Sequence, residues 1–523
     1  MSRTTIGDLP RINALRTPGG EAYVDGDRRF TWSEYDERVN RAGHLFRDTL
    51  GVKAGDRIAV LANNCLEYLD VAFAASRIKA ITTGLNVRHK AGEMRRQLVD
   101  AAPSVLLVDG AFADAGRALA DELGIPLLRV GGESGAGSYA DLLAAAPGTP
   151  IEPHEDAEAV YTLCYTSGTT GEAKGAMVSS RNELAYQASM AWVAQSTPSD
   201  RHLVTLPLFH RGGQFATMHP ARLGLPTVLL PTSDPELMMA TIQRERISVT
   251  MAVPTVLKVF CEVYEKDPGR YDLSSLRMIL YGSNPIPEDL LRRCLRLFDF
   301  DVCQIGGMGT EGGVSLALTG EEHREALREP GRQNRLRSCG RIQPLAEMRL
   351  VDDVDEDVPA GELGEMVFRS DAFVSGYWGR PEAGRKAWRG GWFHSGDIGR
   401  MDEDGYVYYV DRKVGRIKTG GETVYAREIE AAIMKCPGVA ETCVLGLPDD
   451  HWGEAVCAVV QVEEGSEVTE DEVRSTVRAG LAGFKVPKRV LFVDALPRTA
   501  LGKIAYGVVR EEAERRFSEV TER

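Results

Sequence analysis

Along the first 110 residues the apolar positions alternate between the two periods that separate strands from helices. Short β-rich runs over 22–31 flank Asp25 and Gly26, the signal of a hairpin turn. Thr31 and Glu34 have the spacing of a capping box, and Tyr35, Val39, Ala42, Leu45 and Phe46 fall on one side of the helix it would open. Strands are predicted at 57–61, 81–85 and 104–108, and helices at 66–79 and 91–102. Strand and crossover helix in alternation predict an α/β layered domain with parallel strands. The Gly- and Ser-rich stretch 131–138 predicts a loop, and the heavily charged stretch 320–337 a surface excursion.

The pattern changes near Asp411. Residues 411–425 are rich in glycine and basic side chains, and a helix is predicted from about Arg427. Strands at 439–447, 454–462 and 489–493 follow, with a capping box at Thr469 and Glu472 between the last two. The expectation is a large, multi-subdomain α/β domain over 1–410 and a small, mobile α+β domain over 411–523.

With 523 residues, 43% hydrophobic and 26% charged, the chain has an ordinary globular composition. A net charge of −14 argues against a nucleic-acid surface or a basic membrane patch. Nine scattered cysteines without a CxxC pair predict reduced, mostly buried thiols in a cytoplasmic protein. The opening MSRTTIGDLPRIN lacks the apolar core of a secretion signal, and no apolar run is long enough to span a membrane.

Chemistry enters at residues 165–175, YTSGTTGEAKG. Val160, Tyr161, Leu163 and Cys164 predict a strand leading into it. Glycines let several backbone N–H groups converge on one point, a nest suited to phosphate. The hydroxyls of Thr166, Ser167, Thr169 and Thr170 add donors and Lys174 adds a charge. The spacing differs from the Walker pattern, in which Ser or Thr directly follows Gly-Lys. A distinct polyphosphate loop, and therefore ATP chemistry, is predicted.

Further segments follow in order: PLFH at 207–210, YGSNPIP at 281–287, GGMGTE at 306–311, GYWGRPE at 376–382, WFHSGDIG at 392–399, DRKVGRIKTGGETVYAREIE at 411–430 and PRTALGKI at 497–504. As a series they resemble the adenylate-forming enzymes, the superfamily of acyl-CoA synthetases, peptide-synthetase adenylation domains and firefly luciferases. The resemblance implies that Thr166, Ser167, Gly168, Thr169, Thr170 and Lys174 hold the β- and γ-phosphates of ATP. It implies that Thr310 bonds the α-phosphate and that Glu311 holds Mg²⁺, a hard cation suited to carboxylate and phosphate oxygens. Asp397 would accept from the ribose hydroxyls, with Arg412 as a second ribose contact. Gly282, Ser283 and Asn284 would line adenine and the carboxylate pocket. Lys503 would bridge the substrate carboxylate and the α-phosphate as charge builds in the transition state. Gly420, Gly421 and Glu422 would line the CoA channel once the small domain has rotated. His210, Tyr281, Gly306 and Met308 are candidates for the acid pocket.

The implied reaction is attack of a carboxylate on the α-phosphorus of ATP, then transfer of the acyl group from its adenylate to CoA, with a fatty or aryl acid as substrate. The alternative is an adenylate-forming enzyme without CoA, passing the acyl group to a separate carrier protein or activating nitrite for diazotisation of an aryl amine. Three positions depart from the family pattern. No aromatic residue precedes Gly309-Thr310-Glu311, so either Tyr281 or another ring faces adenine, or adenine is held less tightly. The hinge position carries Val414, followed by Gly415, in place of Asp or Lys. Arg211 follows His210 where an apolar residue is usual, and is expected to point outward.

Overall fold

The computed structural model describes residues 4–131, 137–166, 173–282, 286–307, 309–419, 422–449, 451–498 and 504–521. Two largely parallel sheets form its larger part. One has six strands in the order Leu127–Val130, Val105–Asp109, Arg57–Leu61, Ile81–Gly84, Val160–Tyr165, Gly175–Ser179, with only the last pair antiparallel. Its central strand Arg57–Leu61 is buried along four of five positions, as a strand covered on both faces must be.

The second sheet has nine strands. From one edge they are Arg341–Ile342, Leu316–Leu318, Asp301–Gly306, Met278–Gly282, Val249–Ala252, His202–Val204, Thr227–Leu229, Glu21–Asp25 and Arg28–Thr31. The run from Asp301–Gly306 to Glu21–Asp25 is parallel, so its strand ends present loops along one edge. The predicted hairpin at the other edge forms with Gly26 at φ +60°, and the Thr31/Glu34 capping box opens the helix Trp32–His44.

An antiparallel five-stranded sheet follows: Glu347–Val351, Gly364–Arg369, Trp392–Met401 and Trp388–Arg389, with Val407–Arg412 beside Trp392–Met401. The last sheet joins Glu422–Tyr425, Arg416–Thr419, Gly453–Val462, Val439–Asp449 and Arg489–Val493. Helices Ala426–Ile433, Glu470–Gly480 and Tyr506–Thr521 belong with it, and Glu470–Gly480 starts at the expected Thr469/Glu472 box. Two α/β layers followed by a small α+β unit are the predicted fold class. Among the described residues no helix is long and apolar enough to cross a membrane. The cysteines are free, seven of the nine fully buried.

One expected element is corrected. The charged stretch 320–337 is ordered as the helix Gly320–Arg328 and the 3-10 turns Pro330–Arg337. A Thr319/Glu322 capping box starts the helix, and Glu322, His323, Ala326 and Leu336 are buried, so its charges cover one face of an element that packs on the nine-stranded sheet.

Candidate functional site

The strands on either side of the glycine-rich segment pair with each other. Strand Val160–Tyr165 pairs antiparallel with Gly175–Ser179, and the Thr166 N–H donates to the Lys174 carbonyl at 3.0 Å. The Thr166 hydroxyl accepts from the Lys174 N–H at 3.3 Å, closing the base of the loop. Ser167, Gly168, Thr169 and Thr170 lie outside the described residues.

A second segment is laid along this hairpin. The Met177 N–H donates to the Gly376 carbonyl at 3.0 Å, and the Trp378 N–H to the Gly175 carbonyl at 2.8 Å. Tyr377 is thereby set between two predicted site residues. Its ring lies 5.4 Å from Lys174 Nζ, and its hydroxyl donates to Glu311 Oε1 at 3.1 Å. Asp100 ties the two segments again, accepting from the Tyr165 hydroxyl at 2.7 Å and from Arg380 at 2.6 Å.

Glu311 and Thr310 sit in the loop after strand Asp301–Gly306. The loop leaves through Gly307 at φ +132°, where a Cβ would come within 2.5 Å of the Gly313 carbonyl, so glycine is required there. Burial pushes the Glu311 carboxyl up, while the Tyr377 hydroxyl and the charges of Arg412 and Lys174 pull it down. Thr310 is half-buried beside it.

Asp397 and Arg412 face each other across paired strands, with Arg412 Nε 2.6 Å from Asp397 Oδ1. The contact lacks hydrogen-bond geometry, and Oδ1 is buried without a hydrogen-bond partner among the described residues. Burial raises the Asp397 carboxyl to about 6, against the pull of Arg412 and with a further push from Glu311. Lys174, Glu311, Asp397 and Arg412, far apart in the chain, are therefore within electrostatic reach of one another. Beside them Glu365 accepts from Lys413 at 2.9 Å and from the Gly396 N–H at 3.0 Å, holding the strand just before Asp397.

The remaining candidates divide. His210 caps the helix Arg211–Leu223 in extended conformation, and Gly306 ends its strand; both lie at the edge of the nine-stranded sheet where the parallel strands end. Gly282 ends the neighbouring strand, and a Cβ there would meet the Ile305 carbonyl at 2.5 Å. Ser283, Asn284, Met308, Gly420, Gly421 and Lys503 lie outside the described residues, as does the Glu422 side chain. Tyr281 is corrected. It is fully buried, with its hydroxyl 2.9 Å from His323 Nε2 and 3.2 Å from Gln304 Oε1, under the helix Gly320–Arg328. The pleat sends it to the opposite side from Gly282, so it cannot offer its ring to adenine. Arg211 is also corrected: it points inward, buried against Glu183 and 5.6 Å over the Tyr186 ring. Glu183 is itself fully buried, and an unpaired carboxylate there would be costly.

Tyr377 escaped the sequence reading although it lies inside the 376–382 segment. The signal was an aromatic pair directly after Gly376. Glu311 is a single carboxylate, able to give a hard cation one set of oxygen ligands; no group of three or more His, Cys, Asp or Glu is gathered among the described residues.

Known proteins match the chain over nearly its whole length. Residues 11–378 match the AMP-binding enzyme family and residues 428–503 its C-terminal domain. The chain is 36% identical over 513 residues to a feruloyl-CoA synthase from Amycolatopsis sp, covering 98% of this chain and 99% of that protein. It is 35% identical over 516 residues to the long-chain-fatty-acid–CoA ligase FadD13 of Mycobacterium tuberculosis, covering 97% and 98%. The solved structure of ATP-bound MatB from Rhodopseudomonas palustris superposes with a TM-score of 0.83 at 28% identity, covering 98% of this chain and 99% of that one. The chain belongs to the family of AMP-binding enzymes.

Proposed function

We propose that the chain is an AMP-forming acid–thiol ligase, which activates a carboxylic acid with ATP and transfers the acyl group to CoA. The observation that carries this reading is the line Lys174, Tyr377, Glu311, with Asp397 and Arg412 within reach of its charges. It supplies a cation for phosphate oxygens, a carboxylate for a hard metal ion and a buried acceptor for hydroxyls.

In this reading Thr166, Ser167, Gly168, Thr169, Thr170 and Lys174 hold the β- and γ-phosphates, and Thr310 donates to the α-phosphate. Glu311 would hold Mg²⁺, which when bound neutralises charge on the phosphates. Asp397 accepts from the ribose hydroxyls, and Arg412 stays beside it. Gly282, Ser283 and Asn284 bound the adenine and carboxylate pocket. Lys503 stabilises the charge that develops as the carboxylate oxygen attacks the α-phosphorus and pyrophosphate leaves.

We place the division between the two moving parts at Asp411, with residues 1–410 on one side and 411–523 on the other. Rotation there would exchange Lys503 for the 420–422 face and admit the thiol of CoA. Relatives at nearly equal identity are named for an aryl and for a long-chain acid, so overall similarity does not choose between these substrates.

The test is Lys503→Ala. It should lose adenylate formation from acid and ATP by about 100-fold or more while still converting supplied acyl-adenylate to acyl-CoA. Equal loss of both half-reactions contradicts the assignment. AMP release without any thioester would move the acceptor to a carrier protein or an amine.

A further inference from the structure

The helix Arg211–Leu223 starts at His210, on the edge of the nine-stranded sheet that carries Gly282 and Gly306, and runs back over the sheet. Gly212, Ala216 and His219 follow one another along one side of it at helical spacing. A Cβ at Gly212 would lie in ordinary contact with the Leu206 and Phe215 side chains, at 3.6 and 3.9 Å. Lower down lies a small cavity with room for about one water molecule. Met190, Ala216, Met251 and Leu280 give it apolar walls, and two imidazoles, His202 and His219, face into it. His219 lies nine residues below His210, about 13 Å along the helix axis.

The two histidines are unusual in what they leave unmade. Both are buried, at 5% and 2% exposure, with their rings 5.5 Å apart. His219 Nε2 is 2.8 Å from the Ser196 hydroxyl, but its Nδ1 has no hydrogen-bond partner among the described residues, and neither has His202 Nε2. Burial holds both imidazoles neutral, lowering His202 to about 4 and His219 to about 3. Each free nitrogen can therefore serve as donor or acceptor, the tautomer being set by the other nitrogen's surroundings. Thr250, also on the wall, already donates its hydroxyl to the Leu203 carbonyl at 3.0 Å.

We infer that His202 and His219 form the polar floor of the acid pocket, and that the acid activated carries a hydrogen-bonding group, such as a hydroxyl, at the end remote from its carboxylate. The inference rests on the ligase reading above and narrows its substrate class. An alkyl end reaching this floor would leave two buried nitrogens unpaired, and each unpaired group disfavours binding by about tenfold. A hydroxyl, donor and acceptor at once, can satisfy one or both. Sites built to pair a polar group reject the analogue that lacks it more strongly than apolar pockets reject an added methylene.

The experiment measures kcat/KM for pyrophosphate release by the full chain with three acids: 3-(4-hydroxyphenyl)propenoic, 3-phenylpropenoic and octanoic acid. Thioester products are identified by mass spectrometry. The wild type should prefer the hydroxylated acid by about tenfold or more. In His219→Leu that ratio should collapse towards unity, while His219→Gln, which keeps a hydrogen-bonding group, should retain most of it. If the Leu variant does not fold, the wild-type ratio and the Gln variant decide. Equal or better use of 3-phenylpropenoic or octanoic acid by the wild type overturns the inference and leaves the ligase reading intact, the cavity then holding a trapped water only. So does an unchanged ratio in His219→Leu. No AMP from any acid overturns both.

Discussion

Asp397 and Asp411 occupy adjacent rungs of the same antiparallel strand pair, opposite Arg412 and Ile398 respectively, yet they are built in opposite ways. Asp411 is claimed by the main chain: one oxygen accepts from the Arg412 N–H at 2.7 Å, the other from the Arg427 N–H at 3.0 Å at the start of the helix Ala426–Ile433. It clips the end of one sheet to the beginning of the next unit. Asp397 is half-buried, and its Oδ1 lies beside Arg412 without a hydrogen bond among the described residues. Burial raises both carboxyls. What separates them is whether folding alone satisfies their oxygens. A buried acid saturated by backbone N–H groups sets geometry, and one left open is placed for a ligand. Glu311 differs from both: its Oε1 accepts from a side chain, the Tyr377 hydroxyl.

The sharpest way to break this contrast is at Glu311 and Asp397. Glu311→Gln keeps the shape but removes the charge, and should lower kcat/KM for ATP by about 100-fold or more; an unchanged rate of ATP–pyrophosphate exchange would place the metal elsewhere. Asp397→Ala should raise KM for ATP by about 10- to 100-fold, read by steady-state kinetics across ATP concentration.

A smaller effect is expected from pH. Asp397 gains a proton as pH falls through about 6, so KM for ATP should rise by about tenfold between pH 7 and 5 relative to Asp397→Asn, which cannot titrate. The linked stability effect has the opposite sense. With the folded value near 6 and the ordinary value at 3.8, the folded state binds the proton more tightly, and stability falls as pH rises through that window. Asp397→Asn should therefore melt above the wild type at pH 7, the difference closing towards pH 4. Asp411→Ala should show the reverse pattern: a loss of about 1–3 kcal/mol of stability, seen in denaturant melts, with KM for ATP moved less than twofold.

The fold was legible where the signal is local. Capping boxes at Thr31 and Thr469, and the β-rich runs at 57–61 and 489–493, name their own elements. The site was legible as a set of segments, because each strand end carries its own motif. Contacts made by distant partners were not. Arg211 appears as a surface charge until Glu183, on the preceding helix, is brought against it. Tyr281 appears as a pocket ring until the pleat assigns it to the far face. His202 and His219 meet only because a strand and a helix stack, and the cavity between them has no linear signature. The line from Lys174 through Tyr377 to Glu311 joins three segments spread over about 200 residues.

A single site built from these segments would cleave ATP to AMP and form a thioester. The direct measurement is a mass-balance assay by mass spectrometry on the full chain with ATP, Mg²⁺ and a panel of fatty and aryl acids, each with and without CoA. The expected result is AMP, pyrophosphate and acyl-CoA in equal amounts for at least one acid, with the thioester absent when CoA is omitted. ADP in place of AMP, or AMP released with no thioester from any acid in the panel, would contradict it.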